Sequence, residues 1–133
     1  MNQRPYLDAS ALVKLVVTEP ESRALTAFLR GSKPLTSRIA TIELRRALAR
    51  VRAIDSAAES KIRALWRRTS VIELDALLAE AAGRLEPPIL RSLHAIHLAS
   101  AASLGTEIGD FVTYDRRLAE AARSLGMTVV APA

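Results

Sequence analysis

The stretch DFVTYDRRLAEAARSLGMTVVAP, residues 110–132, decides the fold. DFVTYD reads as a strand, rich in β-branched and aromatic residues, and RRLAEAARSLG as an amphipathic helix closed by a glycine. MTVVAP then reads as a further strand. The same alternation runs back through the chain. RPYLD is a short strand, and ASALVKLVV follows it with apolar residues at helical spacing. EPESRALTAFLRG is a helix with Pro20 at its start and Gly31 at its end. PLTS is a short strand, after which Thr36 or Ser37 can cap the helix RIATIELRRALARV. AESKIRALWRR continues the helical pattern. SVIELD is a β-branched strand, and Asp75 is placed to cap ALLAEAAGRL. ILRSLHAIHLASAASLG is a helix closed by Gly105. Strands that alternate with helices point to an α/β/α sandwich with a mostly parallel central sheet.

The composition sets outer bounds. At 133 residues, 50% of them hydrophobic, the chain fits one domain, residues 1–133, with enough apolar surface for a core. It has no cysteine, which excludes disulfides and thiolate metal sites. The start MNQRPYLDAS lacks the apolar run of a signal peptide, and no apolar run approaches a membrane span. The expectation is a cytoplasmic protein that does not engage a membrane. The net charge of +5 is carried mainly by arginine, the lysines being Lys14, Lys33 and Lys61. Arginine suits bidentate phosphate contacts, so nucleic acid is a compatible partner. A codon-biased genome gives the same composition.

Parallel sheets bind ligands at the carboxyl ends of their strands. Asp8 ends the first strand and Asp115 ends FVTYD, which places both at the same sheet edge. Glu43 lies near the apolar stripe of IATIELRRAL rather than on its arginine face. Each acid alone has an ordinary explanation as a cap or an ion pair. Together, three converging carboxylates repel one another unless a cation sits among them. Hard oxygen ligands select Mg²⁺ or Mn²⁺, which can hold a phosphate oxygen and lower the pKa of a bound water.

Four segments carry a family resemblance: YLDASALVKLVV, TSRIATIELRRAL, LRSLHAIHLASAASLG and DFVTYDRRLAEAARSLGM. Together they resemble the PIN-domain ribonucleases, and most closely the VapC-type toxins of bacterial toxin–antitoxin pairs. The resemblance spans essentially the whole chain. It implies a PIN-like α/β/α fold and a divalent-metal endoribonuclease that cuts RNA. A cognate VapB-type antitoxin as inhibitor and a homodimer are further implications. On matching positions Asp8, Glu43 and Asp115 are the metal-site acids, with Mg²⁺ (or Mn²⁺) as cofactor. Ser10 and Thr113 are the small polar residues beside them.

One position departs. The family helix usually reads Leu-Asp-Ala-Ile-His, and this chain reads LHAIH, so His94 stands where a third acid is expected. An imidazole in that place impairs a Mg²⁺ site, which makes a catalytically dead protein that binds antitoxin or RNA the alternative. His97 matches a histidine common in the family and reads as structural, packed on the sheet with its ring nitrogens bonded. The two histidines are neighbours on one helix surface but lack the glutamate of a zinc-protease helix.

The remaining candidates read more plainly. Asp110 and Glu107 fall in the loop before a strand, where they are solvated. Arg45, Arg46, Arg50 and Arg52 form a basic helical run, either a solvated face or a contact for RNA or antitoxin. Trp66, with Ile62 and Leu65, suggests an exposed-edge aromatic or a dimer contact. A receiver domain using Asp8, Asp75 and Thr113 is the rival fold-level reading. It lacks the adjacent acid pair after the first strand and a lysine near the last.

Overall fold

The computed structural model describes residues 3–133. Five strands form one sheet: β1 (Arg4–Leu7), β2 (Leu35–Ser37), β3 (Ser70–Ile72), β4 (Ile108–Val112) and β5 (Val129–Val130). Every pairing is parallel, and the spatial order is β3-β2-β1-β4-β5. Helices α1 (Ala9–Val16) and α2 (Ser22–Leu29) connect β1 to β2. From β2 the chain runs through α3 (Arg38–Arg50) and α4 (Ser56–Arg68) into β3. Between β3 and β4 come α5 (Ala76–Gly83) and α6 (Ser92–Ala102), and α7 (Arg116–Ser124) joins β4 to β5. The sequence reading of a parallel α/β sandwich matches this architecture.

Strand periodicity makes the layers. Successive side chains on a strand point to opposite faces. Leu7 and Val112 enter a core with Leu12, Leu25, Leu44, Leu48 and Ile62, built by α1 to α4. Their neighbours Tyr6 and Phe111 enter the opposite core with Leu98 and Leu118, under α6 and α7. There the Tyr6 and Phe111 rings stack at 5.1 Å. Gly109 serves the pairing of β4 with β1. A Cβ there would stand 3.2 Å from the Arg4 carbonyl oxygen, next to the register shift between Arg4 and Tyr6.

Several boundaries differ from the sequence reading. The strand read from DFVTYD begins earlier, so Asp110 lies within β4, while Thr113 to Asp115 lie beyond it. β3 stops at Ile72, short of Glu73 and Leu74. The helix read from residue 89 begins at Ser92. Gly105 is in the left-handed region at φ 57° and opens a short 3₁₀ turn rather than merely ending α6. Arg52 lies past α3 at φ 54°, outside the basic helical run. Trp66 is not an exposed-edge aromatic. It is partly buried against the α1–α4 core, because it shares a face of α4 with Ile62 and Leu65 at helical spacing.

Candidate active site

The strand order reverses at β1. The chain proceeds from β1 to β2 and β3 on one side, then returns to place β4 and β5 on the other. A crevice opens at such a reversal, outside the carboxyl ends of the two central strands. Asp8 follows β1 there, and Thr113 to Asp115 follow β4.

Asp8 is only 3% exposed. As the N-cap of α1 its Oδ1 accepts from the Ala11 amide at 3.0 Å. The Ser10 hydroxyl donates to the same oxygen at 2.6 Å, and the Thr113 hydroxyl donates to Oδ2 at 2.5 Å. Each hydroxyl is also anchored from behind. Ser10 Oγ accepts from the Tyr114 amide at 2.9 Å, and Thr113 Oγ1 accepts from the Asp115 amide at 3.0 Å. Both hydroxyl protons are thereby committed to the carboxylate, and the ends of β1 and β4 are tied together through it. Burial raises the Asp8 pKa by more than Ser10 and Thr113 lower it.

Asp115 caps α7, with Oδ1 accepting from the Arg117 amide at 2.9 Å and the Leu118 amide at 3.1 Å. Its Oδ2 lies 3.1 Å from His94 Nε2, on α6. Partial burial pushes the Asp115 pKa up. The helix amides and His94 outweigh that and leave it below the ordinary value. His94 therefore stands directly against a carboxylate of the crevice.

Glu43 enters from α3 by a second route. Its Oε1 lies 2.7 Å from His97 Nε2, and His97 Nδ1 lies 2.7 Å from the Tyr6 hydroxyl. Tyr6 is fully buried, and burial raises its pKa well above the usual phenol value, so the hydroxyl keeps its proton. His97 thus bridges the Tyr6 hydroxyl and the Glu43 carboxylate through its two ring nitrogens. His97 is 2% exposed with both nitrogens bonded, as the structural reading expects. Tyr6 was missed by sequence reasoning. RPYLD reads only as a short strand, and nothing local signals that the Tyr6 hydroxyl reaches a helix so distant in sequence.

The acids thus have separate attachments: Asp8 is tied through Thr113 to the backbone amide of Asp115, the Asp115 carboxylate is held by α7 amides and His94, and Glu43 is held by His97. Among the described residues, no group of three or more His, Asp or Glu side chains is arranged to hold a metal ion. Grooves flank the crevice on either side. One is lined by residues of α1 and α3 with Leu93, the other by Tyr114, Asp115, Arg116 and Arg123.

Comparison with known proteins follows the same geometry. The PIN domain family model matches residues 6–124. The chain is 45% identical over 128 residues to Ribonuclease VapC46 of Mycobacterium tuberculosis, covering 96% of each chain. It is 41% identical over 132 residues to Ribonuclease VapC35 of the same species, again covering 96% of each. The crystal structure of Mycobacterium tuberculosis VapC20, described as a sarcin-ricin loop cleaving toxin, superposes with a TM-score of 0.73 at 19% identity. That match covers 96% of this chain and 99% of the other. VapBC2 of Rickettsia felis, solved bound to a promoter DNA fragment, superposes with a TM-score of 0.73 at 14% identity. It covers 98% of this chain and 100% of that one. At these identities the two structures speak to the fold alone.

Proposed function

Because this chain belongs to the VapC-type PIN-domain family, we propose that it is an endoribonuclease toxin that hydrolyses RNA at the β1–β4 crevice with a divalent cation. The observation that carries the reading is the buried Asp8 carboxylate, clamped at the strand-order reversal by Ser10 and by Thr113, whose hydroxyl also accepts from the Asp115 amide. Its relatives named as ribonucleases support the same chemistry.

The donor chemistry fits a small hard cation. Asp8 and Asp115 offer carboxylate oxygens, and burial disfavours the Asp8 anion in the absence of a counter-charge. Mg²⁺ commonly uses one or two protein carboxylates and keeps waters in its remaining positions. Asp8, Asp115 and Glu43 would hold the ion. When bound, such an ion supplies positive charge to a phosphate oxygen and acidity to a water. The protein's own groups do the rest. Ser10 and Thr113 fix the Asp8 oxygens, so that no reorganisation is needed at the moment of reaction. The Tyr6–His97 chain fixes Glu43 through Oε1 and leaves Oε2 as a proton acceptor. Arginines on both flanking grooves draw in the phosphate backbone.

His94 supports a second element of the reading, that activity with Mg²⁺ is impaired. An aspartate at this place would set two carboxylates side by side and call for a cation. His94 Nε2 instead satisfies Asp115 Oδ2 from within the protein. An ion must displace that contact, and Mg²⁺ gains little from the nitrogen, whereas Mn²⁺ accepts imidazole. A VapB-type antitoxin as inhibitor, with a homodimer as the assembly, completes the proposal. Proteins of the same fold have been solved as toxin–antitoxin complexes, which motivates the antitoxin part of the proposal. No helix of the described residues is long and apolar enough to cross a membrane.

The test is cleavage of a single-stranded RNA by the pure protein with Mg²⁺ or Mn²⁺. We expect cleavage that is faster with Mn²⁺, abolished by chelator, and reduced about 10²-fold or more by Asp8→Asn. Chelator-resistant cleavage, or cleavage by Asp8→Asn at the parental rate, contradicts the proposal.

A further inference from the structure

The arginines of α3 divide by partner. Arg38 pairs with Glu73, and Arg45 forms a two-point ion pair with Glu59 on α4. Arg46 and Arg50 have no acidic partner among the described residues. They sit four positions apart, hence on one face of the helix, with about 5–6 Å between their Cβ atoms. That face borders a groove of about 360 Å³ between α1 and α3. Its walls are apolar: Val13, Ile39, Ile42, Ala47 and Leu93. Ile42 is 54% exposed and Leu93 44% exposed, so apolar surface stands open to water beside two unpaired cations.

The lining of this groove includes Ser10, which holds Asp8, and Glu43, so an occupant lies beside the acidic site. Its chemistry must combine a flat apolar body with flanking negative charge. A nucleotide has that combination, with base against the aliphatic walls and phosphates at the guanidinium groups.

We propose that the α1–α3 groove is a nucleotide subsite of the RNA substrate, adjoining the scissile position. Arg46 and Arg50 bind the phosphates that flank one base, and Ile42 and Leu93 cover that base. This rests on the proposed ribonuclease reading and deepens it, since it assigns a segment of substrate to a particular wall. The contacts made by Arg46 and Arg50 strengthen binding without reading sequence. The shape of the walls sets which base is tolerated.

The test measures binding of a short 2′-O-methyl oligonucleotide, which the enzyme cannot hydrolyse, by fluorescence anisotropy across a salt series. For single strands log K falls with log salt by about 0.7 per phosphate neutralised. The double variant Arg46→Gln/Arg50→Gln should bind less tightly and lose about 1.4 from the magnitude of that slope. Arg38→Gln/Arg45→Gln removes the same charge from the paired side of α3 and should leave the slope unchanged. Ile42→Ala should weaken binding about fivefold without altering the slope, a loss of about 1 kcal/mol. Equal slopes for the two double variants overturn the subsite while leaving the ribonuclease reading in place. So does a groove variant that keeps its oligonucleotide affinity but loses self-association or binding of a protein partner. Absence of oligonucleotide binding by the parental protein overturns both readings.

Discussion

At the scale of single residues, burial makes the ionised Asp8 carboxylate costly. Its carboxyl is buried, and its pKa in the folded protein is raised, first by burial, against the pull of Ser10 and Thr113. A raised carboxyl pKa contributes stability that is complete below the unfolded value, about 3.9, and is lost as pH rises through the folded value. At neutral pH, without a cation, the ionised side chain therefore destabilises the fold. Asp8→Asn removes that charge and keeps an amide oxygen for the Ala11 N–H. In chelator at pH 7 the variant should melt about 3 °C higher than the parent, the shift produced by roughly 1 kcal/mol in a domain of this size. The difference should shrink towards zero as pH falls below the ordinary carboxylate range. A variant that melts lower at pH 7 would show that the hydroxyl clamp, rather than desolvation, dominates at Asp8. The sequence made Asp8, Asp115 and Thr113 legible because each follows a strand. It did not show that Thr113 joins Ser10 in spending a hydroxyl proton on the Asp8 carboxylate, since the Thr113–Asp8 contact joins positions about a hundred residues apart.

At the scale of elements, helix starts were the most readable features, because capping is local chemistry. Ser37 caps α3 through the Ile39 amide, and Asp75 caps α5 through the Leu78 amide at 2.8 Å. Strand ends were less readable. β4 stops before Thr113 because the following residues turn their polar groups to Asp8 and to α7. Residue-level propensity does not report such a commitment. The start of α6 was misplaced for a related reason. Ile89 and Leu90 continue the apolar pattern, but Ile89 is 88% exposed and Arg91 takes an extended conformation ahead of the helix. Trp66 was read outward although its spacing from Ile62 and Leu65 already marked the core-facing stripe. Asp75 gives an element-scale test that is separate from the crevice. Asp75→Ala should cost about 1 kcal/mol in a denaturant titration, the ordinary value of an N-cap, and leave RNA cleavage at the parental rate. A loss of cleavage that stability does not explain would give Asp75 a role the fold does not suggest.

At the scale of the whole molecule, topology concentrates the chemistry. A sheet that is parallel throughout sends every strand's carboxyl end to one edge, and the reversal at β1 leaves a crevice there. Two cores on opposite faces hold Tyr6 and Leu7 in place, which fixes Asp8 in the next position. The helices on the two faces then bring Glu43 on α3 and His94 on α6 to the same end. The net charge of +5 favours association with a polyanion such as the proposed RNA substrate. We propose that the carboxylates at this end form a divalent-ion ribonuclease centre in which His94 holds Asp115 in the cation's stead. Single-turnover RNA cleavage in Mg²⁺ by the parent and by His94→Asp tests it most directly. Restoring an oxygen donor and removing the internal partner of Asp115 should raise the rate about 10²–10³-fold, the usual worth of one well-placed electrostatic contact. A rate that falls on substitution, with the fold intact by circular dichroism, would make His94 a working residue and contradict the account.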